Sequence, residues 1–300
     1  MTAGRLAGRV AIVTGAGRGL GRAYAIALAR HGAAVIVNDL GGDLHGLGRD
    51  ATPSQAVVAE IEVAGGQAAV SGHDVSDWAD AKAMVGMAVE TFGGLHILVN
   101  NAGILRDRLF ANMSEEDWDA VIRVHLKGHA APSRHAMEYW RNEAKAGRPM
   151  AGSIVRTTSL AGLVGNFGQA NYAAAKLAVV GLSRTLALEG KKYGVRSNAV
   201  SPSARTRIET SLKPPPDGVF DTFSADNVAP LICWLALADC PATGQVFQAY
   251  GNRIEVIAPT AIAIDIHTDG RWQIEDIGRE LGPRLPKLPQ LSDFVEGLPL

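Results

Sequence analysis

Short apolar segments alternate with longer amphipathic segments along most of the chain. The short ones are rich in valine and isoleucine and carry little polar alternation, which is typical of strands covered on both faces. We predict strands at Val10–Val13, Ala33–Asn38, Ala68–Ser71, Leu95–Asn100, Ser153–Thr158 and Val195–Val200. The longer segments predict helices at Leu20–His31, Ser54–Ala64, Asp77–Phe92, Glu115–Lys145 and Gln169–Lys192.

This strand–helix order predicts an α/β fold, a doubly wound parallel sheet of the Rossmann type with helices on both faces. We assign residues 1–250 to one domain and residues 251–300 to a C-terminal extension. In the extension, Ile257–Ile266 predicts a further strand. The tail that follows is interrupted by prolines, which favour an extended chain: Pro283, Pro286, Pro289 and Pro299. The proline-rich segment Lys213–Gly218 is either a lid over a ligand crevice or a plain surface loop.

Composition narrows the function classes. Hydrophobic residues make up 47% of the chain and the formal net charge is −1. The sequence lacks the basic stripe that is typical of a nucleic-acid-binding protein. The longest apolar stretch, around Val228–Ala238, is too short and too interrupted to span a membrane. Two cysteines, Cys233 and Cys240, are best interpreted as buried thiols in a reducing compartment. We therefore expect a cytoplasmic protein with a small-molecule substrate.

A glycine-rich turn follows the first predicted strand and opens the first predicted helix. Glycines there permit a tight turn and a close approach to a diphosphate, which the helix N-terminus attracts. The strand-to-helix context supports a dinucleotide site. The predicted cofactor-binding residues of this turn are Gly15, Gly17, Arg18, Gly19, Leu20 and Gly21.

Asp39 ends the second predicted strand. A carboxylate at this place accepts hydrogen bonds from ribose hydroxyls and repels a 2′-phosphate, so it favours NAD over NADP. Arg18 argues the other way, because an arginine in the turn can contact a 2′-phosphate. Asp39 carries more weight, since its place at the strand end is determined by the fold.

Tyr172 and Lys176 lie four residues apart in a predicted helix and therefore share one face. A nearby ammonium lowers the pKa of a phenol, which makes tyrosine a usable acid or base near neutral pH. Ser159 follows the fifth predicted strand and can hydrogen-bond a reacting oxygen. The spacing of tyrosine and lysine alone is a weak signal, so the neighbouring motifs decide its interpretation.

Taken together, Thr14–Gly21, Asn100–Gly103, Ser159, Tyr172 and Lys176 resemble the short-chain dehydrogenase/reductase superfamily. The resemblance runs from about Leu6 to Ala249. It implies that Tyr172 is the catalytic acid/base, Lys176 its partner and ribose anchor, and Ser159 the residue that orients the substrate oxygen. It also implies cofactor contacts from the following residues: Asp74, Val75, Asn101, Ala102, Gly103 and Thr206.

A narrower resemblance is carried by Asn38–Asp43, Asn101–Arg108, Val124–Gly128 and Gly165–Tyr172. These segments are similar to the (3R)-hydroxyacyl-CoA dehydrogenase unit of peroxisomal multifunctional enzyme type 2, a likeness that fades after Gly251. It implies an oxidoreductase of lipid metabolism that moves a hydride between NAD and a 3-hydroxyacyl-CoA. It also implies a homodimer or homotetramer built through the two longest helices. The alternatives are a hydroxysteroid or other bulky secondary-alcohol dehydrogenase, and a non-catalytic nucleotide sensor.

Two positions depart from the superfamily pattern. His125 stands where many members have an asparagine that helps hold a water in a proton relay, so His125 either continues that relay or only packs there. Pro202–Ser203 replaces the usual Pro-Gly. His125 and His129 are four residues apart, yet no further Glu or Cys set completes a metal site, so we predict none.

Overall fold

The eight strands form one sheet. The computed structural model describes residues 4–207, 213–258, 260, 262–267 and 271–288. Within them the strands are β1 Val10–Thr14, β2 Ala34–Asn38, β3 Gln67–Ser71, β4 Ile97–Asn100, β5 Ser153–Thr157, β6 Arg196–Pro202, β7 Val246–Tyr250 and β8 Arg253–Ile257. All six predicted strands are confirmed within one or two residues at each end.

The strand order is β3-β2-β1-β4-β5-β6-β7-β8, and all neighbours up to β7 pair in parallel. The last strand, β8, pairs antiparallel with β7. The sheet is therefore parallel, as predicted, except for this one strand. Its short connection from Tyr250 to Arg253 is possible because antiparallel neighbours need only a tight turn. The strand order reverses between β1 and β4, and ligands of open α/β sheets bind at this switch point.

Nine α-helices lie within the described residues. They are α1 Gly19–Arg30, α2 Thr52–Val63, α3 Trp78–Phe92, α4 Glu115–Ile122, α5 Gly128–Lys145, α6 Leu160–Val164, α7 Ala170–Gly190, α8 Ala229–Leu235 and α9 Ile274–Leu281. The predicted helix Glu115–Lys145 is interrupted by a π-helical turn, Arg123–Lys127, which joins α4 to α5. None of these helices is long and apolar enough to cross a membrane.

Helices cover the sheet on both faces, which confirms the doubly wound fold. On one face α1, α2 and α8 pack over strand residues such as Val13 and Val37, and on the other α3 and α5 pack over Ile12 and Ile36. The alternation of neighbouring strand residues between the two clusters follows from the two-residue period of a strand. Cys233 and Cys240 are both buried and free, as predicted.

The C-terminal part of the chain differs from the prediction. A compact unit ends at Ile257, and a second begins at Ala258. The described residues between 258 and 267 form no strand, so the strand predicted at Ile257–Ile266 is wrong. Ile274–Leu281 is helical rather than extended, because the prolines fall after it, beginning at Pro283. Pro289 and Pro299 lie outside the described residues.

Candidate active site

The glycine-rich turn connects β1 to α1 at the carboxyl edge of the sheet. Gly15 has φ +64°, and a Cβ on Gly21 would lie 2.1 Å from the carbonyl oxygen of Gly15. No side chain caps the first turn of α1. The turn therefore brings bare backbone amides close to the crevice, and this cradle fits the diphosphate of a dinucleotide.

The Asp39 carboxylate lies against the same turn. It accepts hydrogen bonds from the backbone nitrogens of Gly17 at 2.8 Å and Gly41 at 2.7 Å. A Cβ on Gly17 would lie 2.9 Å from the Asp39 carboxylate, so the two groups pack closely. Arg18 lies 3.9 Å from Asp50 in a half-exposed ion pair. The carboxylate is thus held in place at the end of β2.

Asn101 joins the end of β4 to the glycine turn and to β5. Its side-chain nitrogen donates to the carbonyl oxygens of Thr14 at 3.1 Å and Gly15 at 3.3 Å. Its side-chain oxygen accepts from the hydroxyl of Thr157 at 3.1 Å. The hydroxyl of Thr14 also accepts from the amides of Asn101 and Ala102. These bonds hold three strand ends together at the floor of the crevice.

Asp74, Val75 and Thr206 lie on the loops that follow β3 and β6. The Asp74 carboxylate accepts from the amide and hydroxyl of Ser76, at 2.8 and 2.7 Å. Val75 is buried. A Cβ on Gly19 would lie 3.3 Å from Thr206, so this residue reaches the N-terminus of α1.

Tyr172, Lys176 and Ser159 come together as the sequence predicts. The Lys176 Nζ lies 5.4 Å from the centre of the Tyr172 ring and donates to the carbonyl oxygen of Thr157 at 2.6 Å. Ser159 is the N-cap of α6 and hydrogen-bonds the Tyr172 side chain. A phenol, a hydroxyl and an amine therefore converge beside the end of β5.

The pKa values of Tyr172 and Lys176 depend chiefly on burial. Burial raises the pKa of Tyr172 to about 12, an effect that the Ser159 hydrogen bond opposes and the Asp107 charge reinforces. Burial lowers the pKa of Lys176 to about 7. The predicted lowering of the tyrosine pKa by the lysine is therefore not found in the chain alone. Removal of both groups from water outweighs their mutual influence.

His125 packs directly on Tyr172. Its ring meets the Tyr172 ring edge-on at 5.1 Å between centres. Its Nε2 lies 2.8 Å from the carbonyl oxygen and 3.1 Å from the amide nitrogen of Ile104. Burial and then the charge of Lys176 lower the pKa of His125 well below 6.5, so the ring is neutral at pH 7. Nε2 donates to the Ile104 carbonyl oxygen in the tautomer that carries its proton there, and accepts from the Ile104 amide in the other tautomer.

Asn171 was not among the predicted site residues, although it immediately precedes Tyr172 in the quoted motif. Its buried side chain donates to the carbonyl oxygens of Arg106 at 3.1 Å and Asp117 at 3.0 Å, and accepts from the Tyr172 amide at 2.7 Å. It therefore ties the start of α7 to two other segments. Within the described residues, no group of three or more His, Cys, Asp or Glu is arranged to hold a metal.

The comparisons with known proteins agree with this geometry. A family model described as short chain dehydrogenase matches residues 9–214. The chain belongs to the short-chain dehydrogenase family. As a member, it is an oxidoreductase that acts on a CH–OH group, and its cofactor is a nicotinamide dinucleotide, NAD or NADP.

Individual members of the short-chain dehydrogenase family are similar over most of the chain. Peroxisomal multifunctional enzyme type 2 of Mus musculus is 45% identical over 245 residues, which cover 81% of this chain but only 32% of the mouse protein. Hydroxyacyl-CoA dehydrogenase ChsB1 of Mycobacterium tuberculosis is 44% identical over 276 residues, covering 88% of this chain and 84% of the relative. The predicted resemblance is confirmed.

A solved structure supports the same assignment. The crystal structure of a short chain dehydrogenase from Mycobacterium avium is 47% identical, with a TM-score of 0.86. The match covers 96% of this chain and 98% of the other.

Proposed function

We propose that the chain is an NAD-dependent dehydrogenase that interconverts a 3-hydroxyacyl-CoA and its 3-ketoacyl form. The observation that carries the proposal is the convergence of Tyr172, Ser159 and Lys176 at the carboxyl edge of the sheet. The substrate class is supported by the name and length of the similar hydroxyacyl-CoA dehydrogenase ChsB1, of which the alignment covers 84%.

The choice of NAD rests on Asp39. Backbone amides of Gly17 and Gly41 hold both carboxylate oxygens at the end of β2, next to the glycine-rich turn. A 2′-phosphate at this place meets a negative charge, whereas ribose hydroxyls meet hydrogen-bond acceptors. Arg18 does not offset this charge toward a phosphate, because its guanidinium is directed to Asp50.

Tyr172 is the proposed acid and base. Burial raises the pKa of Tyr172 to about 12, so at pH 7 the phenol carries the proton that the ketone oxygen takes up, and it is a weaker acid than a free tyrosine. Ser159 hydrogen-bonds the same region and orients that oxygen. When bound, the nicotinamide supplies or accepts the hydride, and its oxidised ring brings a positive charge. We propose that Lys176, held by Thr157, anchors the nicotinamide ribose beside the tyrosine.

The remaining predicted residues surround this reaction centre. We propose that the glycine-rich turn, Asn101, Ala102, Gly103 and Thr206 hold the dinucleotide, and that Asp74 and Val75 line its adenine. His125 supports the Tyr172 ring by edge-on packing, and its Nε2 makes one hydrogen bond to the Ile104 backbone, to the carbonyl oxygen or from the amide according to the tautomer. Its neutral ring has both a donor and an acceptor nitrogen, which a proton relay requires.

We also propose a homodimer or homotetramer through the long helices α5 and α7. In support, α7 carries Leu177 and Leu188 with 54% and 80% of their surface exposed, and association would remove both from water. Light scattering of the purified chain tests the assembly. A monomer at micromolar concentration contradicts it.

Substrate assignment is tested with a panel of 3-hydroxyacyl-CoA esters and hydroxysteroids, with NADH absorbance as the readout. We expect turnover of hydroxyacyl-CoA esters with NAD and much weaker turnover with NADP. Turnover of hydroxysteroids alone transfers the assignment to a bulky secondary-alcohol dehydrogenase. NADH binding without turnover of any alcohol indicates a nucleotide sensor.

A further inference from the structure

Residues 40–50 form a compact loop after β2, here named the cross-cleft loop. Its two ends meet, because the amide of Asp50 donates to the carbonyl oxygen of Leu40 at 3.0 Å. Inside it, one carboxylate oxygen of Asp43 accepts from the amides of His45 and Leu47, at 2.8 and 2.9 Å. Loops with joined ends and internal bonds of this kind move as units and often serve function.

The cross-cleft loop is bonded to the segment that follows β4. The amide of Leu105 donates to the carbonyl oxygen of Leu44 at 3.2 Å, and the His45 Nδ1 lies 3.2 Å from the carbonyl oxygen of Leu105. Arg106 donates from its guanidinium to the carbonyl oxygen of His45 at 3.3 Å. A Cβ on Gly46 would lie 3.2 Å from the Ile104 side chain, so the two segments also pack closely.

These contacts cross the switch point of the sheet. The loop starts at the end of β2, its partners follow β4, and β1 lies between those two strands. The glycine-rich turn stands at the carboxyl end of β1. A further bond comes from the other side of the crevice, since Arg207, beyond β6, donates to the carbonyl oxygen of Gly42 at 2.9 Å. A chain segment therefore bridges the crevice in which a dinucleotide lies in this fold.

We propose that the cross-cleft loop is the outer wall of the dinucleotide site, and that its contacts with Leu105 and Arg207 must open for the cofactor to leave. This inference rests on the proposed use of NAD. The loop encloses the adenosine half of the dinucleotide, because it follows β2 and Asp39 directly. The reacting trio lies beyond β4, next to the end of β5.

The contacts of the loop suit a wall that opens. They are a few hydrogen bonds at an exposed surface, and Leu47 within the loop leaves 60% of its surface in water. Segments with few buried apolar contacts open at a small fraction of the global free energy of unfolding. The loop can therefore swing away while the sheet stays folded, and such steps often limit turnover.

The test is the rate of NADH release, measured in stopped flow by displacing bound NADH with excess NAD and following NADH fluorescence. His45→Ala removes only the imidazole contact, and Arg207→Ala removes the contact to Gly42. Each is expected to speed release about threefold to tenfold, the effect of one lost hydrogen bond. Arg49→Ala is the matched control, because Arg49 lies on the same loop and its side chain has no hydrogen bond or ion pair within the described residues.

Equal release rates in the wild type, the two contact variants and the control overturn the proposal. A wild-type chain that binds no NADH overturns the proposed cofactor itself, which an equilibrium titration shows separately. A second variant, Leu44→Cys with Leu105→Cys, ties the loop shut on oxidation; both native cysteines are buried. Oxidation is expected to slow release at least about tenfold, and reductant to restore it. An oxidised, cross-linked chain that releases NADH at the wild-type rate contradicts the wall.

Discussion

Lys176 and Tyr172 share one face of α7, with the lysine Nζ 5.4 Å from the centre of the tyrosine ring. Both side chains are removed from water, and burial favours their neutral forms. It lowers the pKa of Lys176 to about 7 and raises the pKa of Tyr172 to about 12. At neutral pH the pair therefore carries a protonated phenol beside an amine that is only partly charged. Tyr172 therefore holds a proton at neutral pH but is a weaker acid than a free tyrosine. We propose that the positive charge of an oxidised nicotinamide favours removal of that proton.

Replacing Tyr172 by Phe removes the proposed proton donor while keeping the ring that His125 packs on. We expect kcat to fall about 100-fold to 10,000-fold, with NADH affinity nearly unchanged. Steady-state kinetics and a fluorescence titration measure the two quantities. Tyr193→Phe, just beyond the other end of α7, is the control and should leave kcat intact. Normal turnover by the Tyr172 variant contradicts the mechanism.

Replacing Asp39 by Ala removes the carboxylate that faces the proposed ribose site. We expect the ratio of kcat/KM for NAD to that for NADP to fall by about tenfold or more, which corresponds to about 1.4 kcal/mol. Asp77→Ala is the control, since this carboxylate also accepts two backbone amides but does so as the N-cap of α3. A wild type that already prefers NADP would show the cofactor assignment to be wrong.

Replacing Gly103 by Ala tests the packing behind the tyrosine. The added Cβ would lie 2.5 Å from the His125 Cε1, so this buried ring must move against Tyr172. We expect the free energy of unfolding to drop by about 1–3 kcal/mol and kcat to fall with it. Urea unfolding measures the first effect.

The control for that substitution is Gly86→Ala within α3, where the nearest atom to the added Cβ is 3.9 Å away. Alanine is the better helix former, so this variant should gain about 0.5–1 kcal/mol. A Gly103→Ala variant as stable as the wild type would show that the His125 ring can move away from the added Cβ without cost.

The low pKa of Lys176 predicts a dependence of stability on pH. Between pH 7 and 10.5 the unfolded chain binds a proton at this lysine more readily than the folded chain does. The lysine therefore costs stability most at pH 7 and below, and the cost falls as the pH rises, by at most about 1.4 kcal/mol per pH unit. Lys176→Met removes this dependence.

The measurement is urea unfolding of the wild type and Lys176→Met at pH 7 and pH 9, below the range in which Tyr172 titrates. We expect the stability of the wild type to gain on that of the variant as the pH rises. A constant difference between the two chains at both pH values would mean that the lysine keeps its usual pKa in the folded state.

Local patterns were sufficient to predict six of the eight strands, the long helices and the glycine-rich turn. Each is encoded within a few residues. Apolar runs indicate strands that are covered on both faces, a four-residue spacing places Tyr172 and Lys176 on one helical face, and glycines mark the turn between a strand and a helix. The prediction missed β7, although four of its five residues are buried, and it failed at β8 and α9. There, exposed residues such as Ile254 and Ile274 give no clear periodic contrast with a buried face.

The sequence by itself determined the fold class and the placing of Tyr172 and Lys176 on one helical face, because those features are local. The roles proposed for Ser159, Tyr172 and Lys176 came from the resemblance to a family. Only the tertiary structure decided the environment of that trio. It packed His125 on Tyr172, tied Asn171 to Arg106, and brought Leu44 to Leu105 across the switch point. The members of each pair are distant in sequence, so no short segment encodes their contact. Burial in the folded chain sets the pKa values of Tyr172 and Lys176, and it too depends on the whole fold.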